Sequence, residues 1–179
     1  MKPLVKKIDH IALVVDNIDE ALGFWHEALG LNLSHVEDVP REKSVVAFLP
    51  AQESEVELVK PTSEDSGIAR FLKKRGPGMH HICFEVYDIE ETMSHLRTKG
   101  VRLINQEPEI GTGGKKIAFI HPESTNGVLV ELYELTSNEM EIRLERARAL
   151  ADRVVANSQQ VAASAREFLR NLRNGEGKN

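Results

Sequence analysis

The chain contains an internal duplication, and this feature limits its possible folds more than any other. Three short segments recur in the same order, at nearly constant offsets of 71, 71 and 74 residues. The recurring pairs are 9–15 with 80–86, 18–20 with 89–91, and 56–58 with 130–132. Three ordered matches indicate two copies of one supersecondary unit rather than a chance likeness.

Each copy shows the same succession of local patterns. Apolar residues alternate at 11–15 and again at 82–86, which predicts a strand at the start of each copy. Apolar residues at helical spacing follow and end at Gly30 and Gly100, so a helix comes next. Further strands are predicted at the following positions: 45–49 and 55–59 in the first copy, and 101–105, 117–121 and 128–133 in the second.

The C-terminal part of the chain differs from both copies. Residues 137–174 contain no glycine or proline, and their apolar residues alternate at spacings of four and three. This pattern predicts a long helix with a heptad seam. Two arrangements are open: the helix lies on the body of its own chain, or it pairs with its twin in a homodimer.

Composition excludes several classes of function. The formal net charge of −5 offers no basic surplus, so neither nucleic acid nor an anionic membrane is an expected partner. Cys83 is the single cysteine, which excludes a disulfide framework and a multi-cysteine zinc site. No secretory signal or membrane span is evident, and a reduced, cytoplasmic protein is expected.

Four side chains stand out because each lies opposite the apolar face of its strand. They are His10, Glu57, His81 and Glu131, one histidine and one glutamate in each copy. If the copies pair about a pseudo-twofold axis, two imidazoles and two carboxylates converge in one cavity. Imidazole nitrogen and carboxylate oxygen together suit a divalent transition metal.

Neighbouring residues are weaker candidates. Strict strand alternation turns His80 to the face opposite His81, so it is predicted to be a spectator. Cys83 shares the face of His81 and is predicted to be a small buried residue beside the cavity. The glycine-rich segment 111–116 lacks the Ser or Thr of a phosphate-binding loop and is predicted to be a turn or a rim loop.

At these residues the chain resembles a known superfamily. Segments 9–12, 80–83 and 128–132 are similar to the vicinal oxygen chelate, or glyoxalase-like, superfamily. Segments 78–82, 110–114 and 119–122 resemble, within it, the methylmalonyl-CoA epimerase family. The likeness covers roughly residues 7–135 and leaves out the C-terminal segment.

The resemblance implies an α+β fold. Two paired βαβββ modules, residues 1–61 and 79–136, would form a curled, cleft-bearing eight-stranded sheet. Residues 62–78 would connect them through a short helix, and 137–174 would add the C-terminal helix.

The resemblance also implies a site. His10, His81 and Glu131 would hold one divalent ion, with Glu57 as the fourth ligand; cobalt, zinc, nickel and manganese all suit this set. Some bacterial epimerases carry a further catalytic glutamate on the strand matching 45–49, and Val45 is the matching position here. Glu57 and Glu131 are then the expected pair of proton-transfer groups.

The expected activity is an isomerase that interconverts (R)- and (S)-methylmalonyl-CoA by removal and return of the α-proton. Its partner would be a small acyl-CoA substrate. The alternatives are a glyoxalase I-like lactoylglutathione lyase, an extradiol-type dioxygenase, and a metal-free module of the same fold that binds a small molecule.

Overall fold

The computed structural model describes residues 3–111 and 115–135. The chain divides into two units after Thr136, and all described residues belong to the first. The predicted C-terminal helix at 137–174, and with it any pairing of two such helices, lies outside the described residues. Among the described residues, no helix is both long and apolar enough to cross a membrane.

The described residues form eight strands and three α-helices. The strands are β1 (Val5–Val14), β2 (His35–Val39), β3 (Ser44–Ala51), β4 (Ser54–Pro61), β5 (Gly78–Val86), β6 (Glu109–Ile110), β7 (Lys116–Ile120) and β8 (Leu129–Glu134). The helices are α1 (Ile18–Leu22), which continues as a π-helical segment (Gly23–Ala28), α2 (Gly67–Arg75) and α3 (Ile89–Thr98). Apart from α2, which connects the copies, each copy runs strand, helix and three strands, as the family likeness implies; β2 and β6 are not among the strands predicted from the residue patterns.

All strands belong to one mixed sheet in the order β2-β3-β4-β1-β5-β8-β7-β6. Within each copy the first strand runs parallel to the last, β1 to β4 and β5 to β8. The two copies join where β1 and β5 pair antiparallel at the centre. The strand order is the same from either edge, which confirms the paired modules expected from the sequence.

Equivalent local signals set the helices of the two copies. The side chain of Asn17 accepts a hydrogen bond from the backbone of Asp19 at the start of α1. Asp88, 71 residues later, caps α3 in the same manner through Glu91. Gly30 and Gly100 follow the helical segments with φ of 84° and 72°, a conformation that glycine adopts without strain.

Apolar side chains bury one face of the sheet against α1 and α3. In the first copy, Leu13 and Val15 pack with Leu58 and the helical residues Ile18 and Trp25. The equivalent cluster of the second copy contains Phe84, Val86, Ile89, Met93 and Leu132. These contacts confirm that the alternating apolar residues face the helices, and they leave the other face of the central strands for the candidate site residues.

The predicted strand at 101–105 is wrong. It is reduced to a single bridge between Leu103 and Ile120, and β6 forms the edge of the sheet instead. The reason lies in Asn105, whose side-chain oxygen accepts the backbone N–H of Phe119 at 2.8 Å. A side chain thus replaces a backbone partner, and the strand ends there.

Candidate metal centre

A cleft with a volume of about 720 Å³ opens beside the central strands and draws its lining from both copies. The polar and charged lining residues include Arg41, Glu42, Lys43, Glu57, Asp65, Arg70, His80, His81 and Glu131. An open, concave site of this kind suits a small ligand.

Strand register explains why the predicted side chains meet beside this cleft. Ala12 pairs with both Glu57 and His81, and Cys83 pairs with both His10 and Glu131. The four polar residues therefore form two adjacent rows, each with a small residue in its middle. Ala12 and Cys83 are both completely buried, so they form a floor beneath the longer side chains.

Three of the four predicted ligands converge closely. The Nε2 atoms of His10 and His81 lie 3.0 Å apart, and Glu131 Oε2 is 3.1 Å from the His81 atom and 3.8 Å from the His10 atom. Glu57 lies near the His10 ring, with its Oε1 3.7 Å from Nδ1. The structure thus groups His10, His81 and Glu131 and places Glu57 beside them.

The geometry of this group fits a metal ion. Zinc binds imidazole nitrogen and carboxylate oxygen at about 2.0–2.2 Å, and one ion at that distance can touch all three corners of a triangle of this size. Neutral imidazole and carboxylate ligands suit cobalt, nickel, zinc and manganese alike. The residues therefore fit a divalent ion without specifying which one.

Charge and burial shift the pKa of these groups in different directions. Burial lowers the pKa of His10, but its hydrogen bond to Asp9 and the charges of Glu57 and Glu131 outweigh burial and raise it to about 9. Burial raises the pKa of Glu57, despite the opposing influence of both histidines. For Glu131, burial also acts upward, yet the hydrogen bond and charge of His81 hold its pKa below the usual value.

Glu42 also lines this cleft, although no sequence pattern pointed to it. It lies in the turn between β2 and β3, where Glu42 N–H donates to Val39 O and Lys43, in the left-handed region with φ of 52°, donates to Pro40 O. Burial and the charge of Glu131 raise its pKa, although the residue as a whole is exposed at the cleft mouth. Val45, by contrast, packs on the helix side of the sheet.

His80 is not the spectator that strict alternation predicts. It lines the cleft, and its Nδ1 lies 2.9 Å from Nδ1 of His81. Burial, together with the charge of His81, lowers its pKa to about 4. The alternation fails because β5 carries an irregularity here: Ala12 pairs with His81, the next residue Leu13 pairs with Met79, and His80 is left as an extra residue.

Three basic residues line the cleft together with its carboxylates. Arg41, Lys43 and Arg70 all line it, although the chain carries a net charge of −5. Lys43 pairs with Asp65 at 2.5 Å, and Arg70 donates to the backbone oxygen of the same residue. This basic rim, defined by Arg41, Lys43 and Arg70, suits the anionic part of a ligand.

Comparison with known proteins adds independent information. The family model described as the Glyoxalase/Bleomycin resistance protein/Dioxygenase superfamily matches residues 9–119. The uncharacterized protein YqjC of Bacillus subtilis is 43% identical over 130 residues, which span 73% of this chain and 93% of that protein. The mitochondrial methylmalonyl-CoA epimerase of Homo sapiens is 37% identical over 127 residues, spanning 70% of this chain and 72% of that protein.

Solved structures extend the likeness to three dimensions. A variant of Streptomyces coelicolor methylmalonyl-CoA epimerase in complex with 2-nitronate-propionyl-CoA superposes with a TM-score of 0.68 at 33% identity. The match spans 74% of this chain and 96% of that one.

Proposed function

The chain belongs to the Glyoxalase/Bleomycin resistance protein/Dioxygenase superfamily, and from that premise we propose that it is a metal-dependent methylmalonyl-CoA epimerase. Relatives with this name match at 36–37% identity over about 70% of the chain. One observation about the chain itself carries the proposal: Glu42 lines the same cleft as His81 and Glu131, two of the three residues of the candidate metal group.

In this proposal His10, His81 and Glu131 hold one divalent ion, and Glu57 is the fourth ligand. The bound ion would supply Lewis-acid stabilisation of the negative charge that develops on the thioester oxygen of the substrate. Because Glu131 Oε2 faces the two imidazoles, proton transfer is assigned to its other oxygen, Oε1.

Epimerisation requires one group to remove the α-proton and another to return a proton on the opposite face of the substrate. Glu131 comes from β8 of the second copy, and Glu42 comes from the turn before β3 of the first. Groups contributed by different copies can act on a substrate from two sides. We assign this second role to Glu42 in the proposal, in place of Glu57, for which it is expected from the sequence.

The opposite pKa shifts of the two carboxyl groups suit this division of roles. Against the effect of burial, the hydrogen bond and charge of His81 lower the pKa of Glu131, whereas burial and the charge of Glu131 raise the pKa of Glu42. Two carboxyl groups whose pKa values are moved apart suit a two-group proton exchange. For the opposite substrate epimer the two groups exchange roles.

The basic rim supports an acyl-CoA substrate. Coenzyme A carries phosphate groups, and arginine binds phosphate through paired charge-assisted hydrogen bonds. Arg41 and Arg70 are exposed, whereas His81 and Glu131 are half-buried, so the phosphates would lie at the rim and the acyl group at the metal.

The test is isotope exchange at the α-carbon of methylmalonyl-CoA in deuterated water, with and without a chelator. We expect deuterium incorporation and inversion that both stop on chelation and return with added metal. Retention of full exchange after metal removal, verified by elemental analysis, would contradict the metal-dependent mechanism.

The same preparation separates the alternatives. Turnover of the methylglyoxal–glutathione adduct, without exchange of methylmalonyl-CoA, would assign the chain to the lactoylglutathione lyases. Absence of stoichiometric metal and of both activities would leave a module that only binds a small molecule.

A further inference from the structure

The residues immediately before the two ligand histidines occupy equivalent irregularities in the central strand pair. On β1, Ile8 pairs with Phe84 and His10 with Cys83, so Asp9 is an extra residue. On β5, Met79 pairs with Leu13 and His81 with Ala12, so His80 is likewise an extra residue without a partner in the strand pairing. An extra residue interrupts the strict alternation of a strand, and here it turns both side chains toward the histidine that follows.

Each of these residues contacts the inner nitrogen of its neighbour. Asp9 Oδ2 lies 3.2 Å from Nδ1 of His10, and His80 Nδ1 lies 2.9 Å from Nδ1 of His81. The outer Nε2 atoms of both ligand histidines remain directed at each other and at Glu131. The other carboxylate near His10, that of Glu57, is 3.7 Å from Nδ1 and so beyond hydrogen-bond distance.

We propose that Asp9 and His80 are positioning residues that fix the ring orientation and tautomer of the two ligand histidines, and that they do so with unequal strength. The inference rests on the proposed metal-dependent function. A histidine that ligates through Nε2 must carry its proton on Nδ1, and that N–H needs an acceptor. Asp9 offers His10 a charged carboxylate, whereas His80 offers His81 a neutral imidazole nitrogen.

Because His10 donates to a carboxylate and His81 to an imidazole nitrogen, the two histidines differ in strength as metal ligands. A hydrogen bond to a charged acceptor is roughly twice as strong as one to a neutral acceptor, and it makes the donor ring more basic at its other nitrogen. His10 is therefore the stronger ligand and His81 the weaker one, despite their equivalent places in the duplication. Phe71 of α2 packs edge-to-face on His80 at 4.9 Å between ring centroids and holds its ring in place.

The duplication supplies a matched test, because Asp9 shows that an aspartate at this irregularity reaches the next histidine. Co²⁺ affinity and the Co²⁺ absorption spectrum would be measured for the full chain and for His80→Asp, His80→Asn, His80→Ala and Asp9→Asn. We expect His80→Ala and Asp9→Asn each to weaken binding about tenfold, the lower end of the effect of such partners. His80→Asn, whose amide oxygen accepts the same hydrogen bond, should recover most of the loss.

His80→Asp should bind Co²⁺ more tightly than the unmodified chain, with a shifted absorption spectrum. A purely structural role for His80 would not produce such a gain. Equal affinities for His80→Asp and His80→Ala would overturn the proposal, as would unchanged affinity in His80→Ala. If His80→Ala fails to fold, the Co²⁺ affinities of the other three proteins still test the proposal. His80→Asp should bind most tightly, the unmodified chain next and His80→Asn least tightly, and any other order would overturn it.

Failure of the proposed function gives a different result. If the unmodified chain binds no Co²⁺, no other divalent ion in the same assay, and shows no α-exchange, the metal site and the inference built on it are both wrong. If the unmodified chain binds metal and the variants are indistinguishable from it, only the positioning roles of Asp9 and His80 are wrong.

Discussion

Ala12 and Cys83 occupy equivalent positions in the two copies, and each is completely buried between two of the candidate ligands. Their small side chains leave room for the imidazoles and carboxylates above them. A larger residue at either position would push into that space.

Ala12→Leu is therefore expected to abolish stoichiometric metal binding and to destabilise the fold by about 1–3 kcal/mol through overpacking. Ala47→Leu is the matched control, because Ala47 is equally buried but lies in the core on the helix side. It should cost similar stability in chemical denaturation while the metal content, measured by elemental analysis, is unchanged. Full metal occupancy in Ala12→Leu would show that the floor does not limit the site.

Glu42→Gln removes one of the two proposed proton-transfer groups without touching the group of His10, His81 and Glu131. We expect epimerisation to fall by about 10²–10⁴-fold, the usual contribution of a general acid or base. One epimer of methylmalonyl-CoA should still exchange its α-proton without inversion, because Glu131 remains. Metal content should stay normal.

Glu37→Gln on the exposed part of β2 is the control and should leave activity unchanged.

Glu57→Gln tests whether Glu57 is a ligand alone or also transfers a proton. Retained inversion with weaker metal binding would support its role as a ligand alone. If Glu57→Gln instead loses inversion while Glu42→Gln keeps it, the assignment of the second proton-transfer group reverts to Glu57.

Metal binding should compete with protons at His10. In the metal-free protein the pKa of His10 is raised to about 9, so at pH 7 the ring is protonated and an ion must displace that proton. Apparent affinity should rise about tenfold per pH unit up to that pKa. Calorimetry in buffers of different ionisation enthalpy should count about one proton released from this residue per ion.

The raised pKa of His10 also makes the stability of the metal-free fold depend on pH, and this stability falls as pH rises. A raised pKa stabilises the folded state fully below the ordinary value of 6.5, and the contribution disappears as pH rises through about 9. Thermal denaturation of the metal-free chain should show this loss between those limits. His35→Ala, at an exposed histidine outside the cleft lining, should leave the pH dependence intact.

Arg41→Ala tests the basic rim. Losing one phosphate contact should raise the KM for methylmalonyl-CoA about tenfold, equivalent to about 1.4 kcal/mol, while kcat changes little. Arg102→Ala removes the same charge from an ion pair with Glu123 that is not part of the cleft lining. A KM that changes equally in both variants would point to general electrostatic attraction rather than to a specific contact.

The duplication made much of the fold predictable. Alternating apolar residues such as Leu13 and Val15 are forced toward the helices because burying them is favourable. The opposite parity of His10 and His81 then follows from strand geometry alone. The face of the sheet that carries the candidate site residues could therefore be predicted from the sequence.

Three features of the site were not predictable by that route. Asp9 and His80 lie at strand irregularities, where side chains no longer alternate with a period of two. Glu42 precedes its strand in a turn, to which strand parity does not apply. The charge run of residues 41–43 was the available signal, and it is indistinguishable in sequence from an ordinary solvated turn.

The antiparallel pairing of β1 with β5 has a mechanical consequence. Since each copy supplies one imidazole and one carboxylate, an ion bound at the centre would tie the two half-sheets together across their shared seam, as a removable cross-link. Chelation would then loosen the joint between the halves while leaving each helix packed on its own strands.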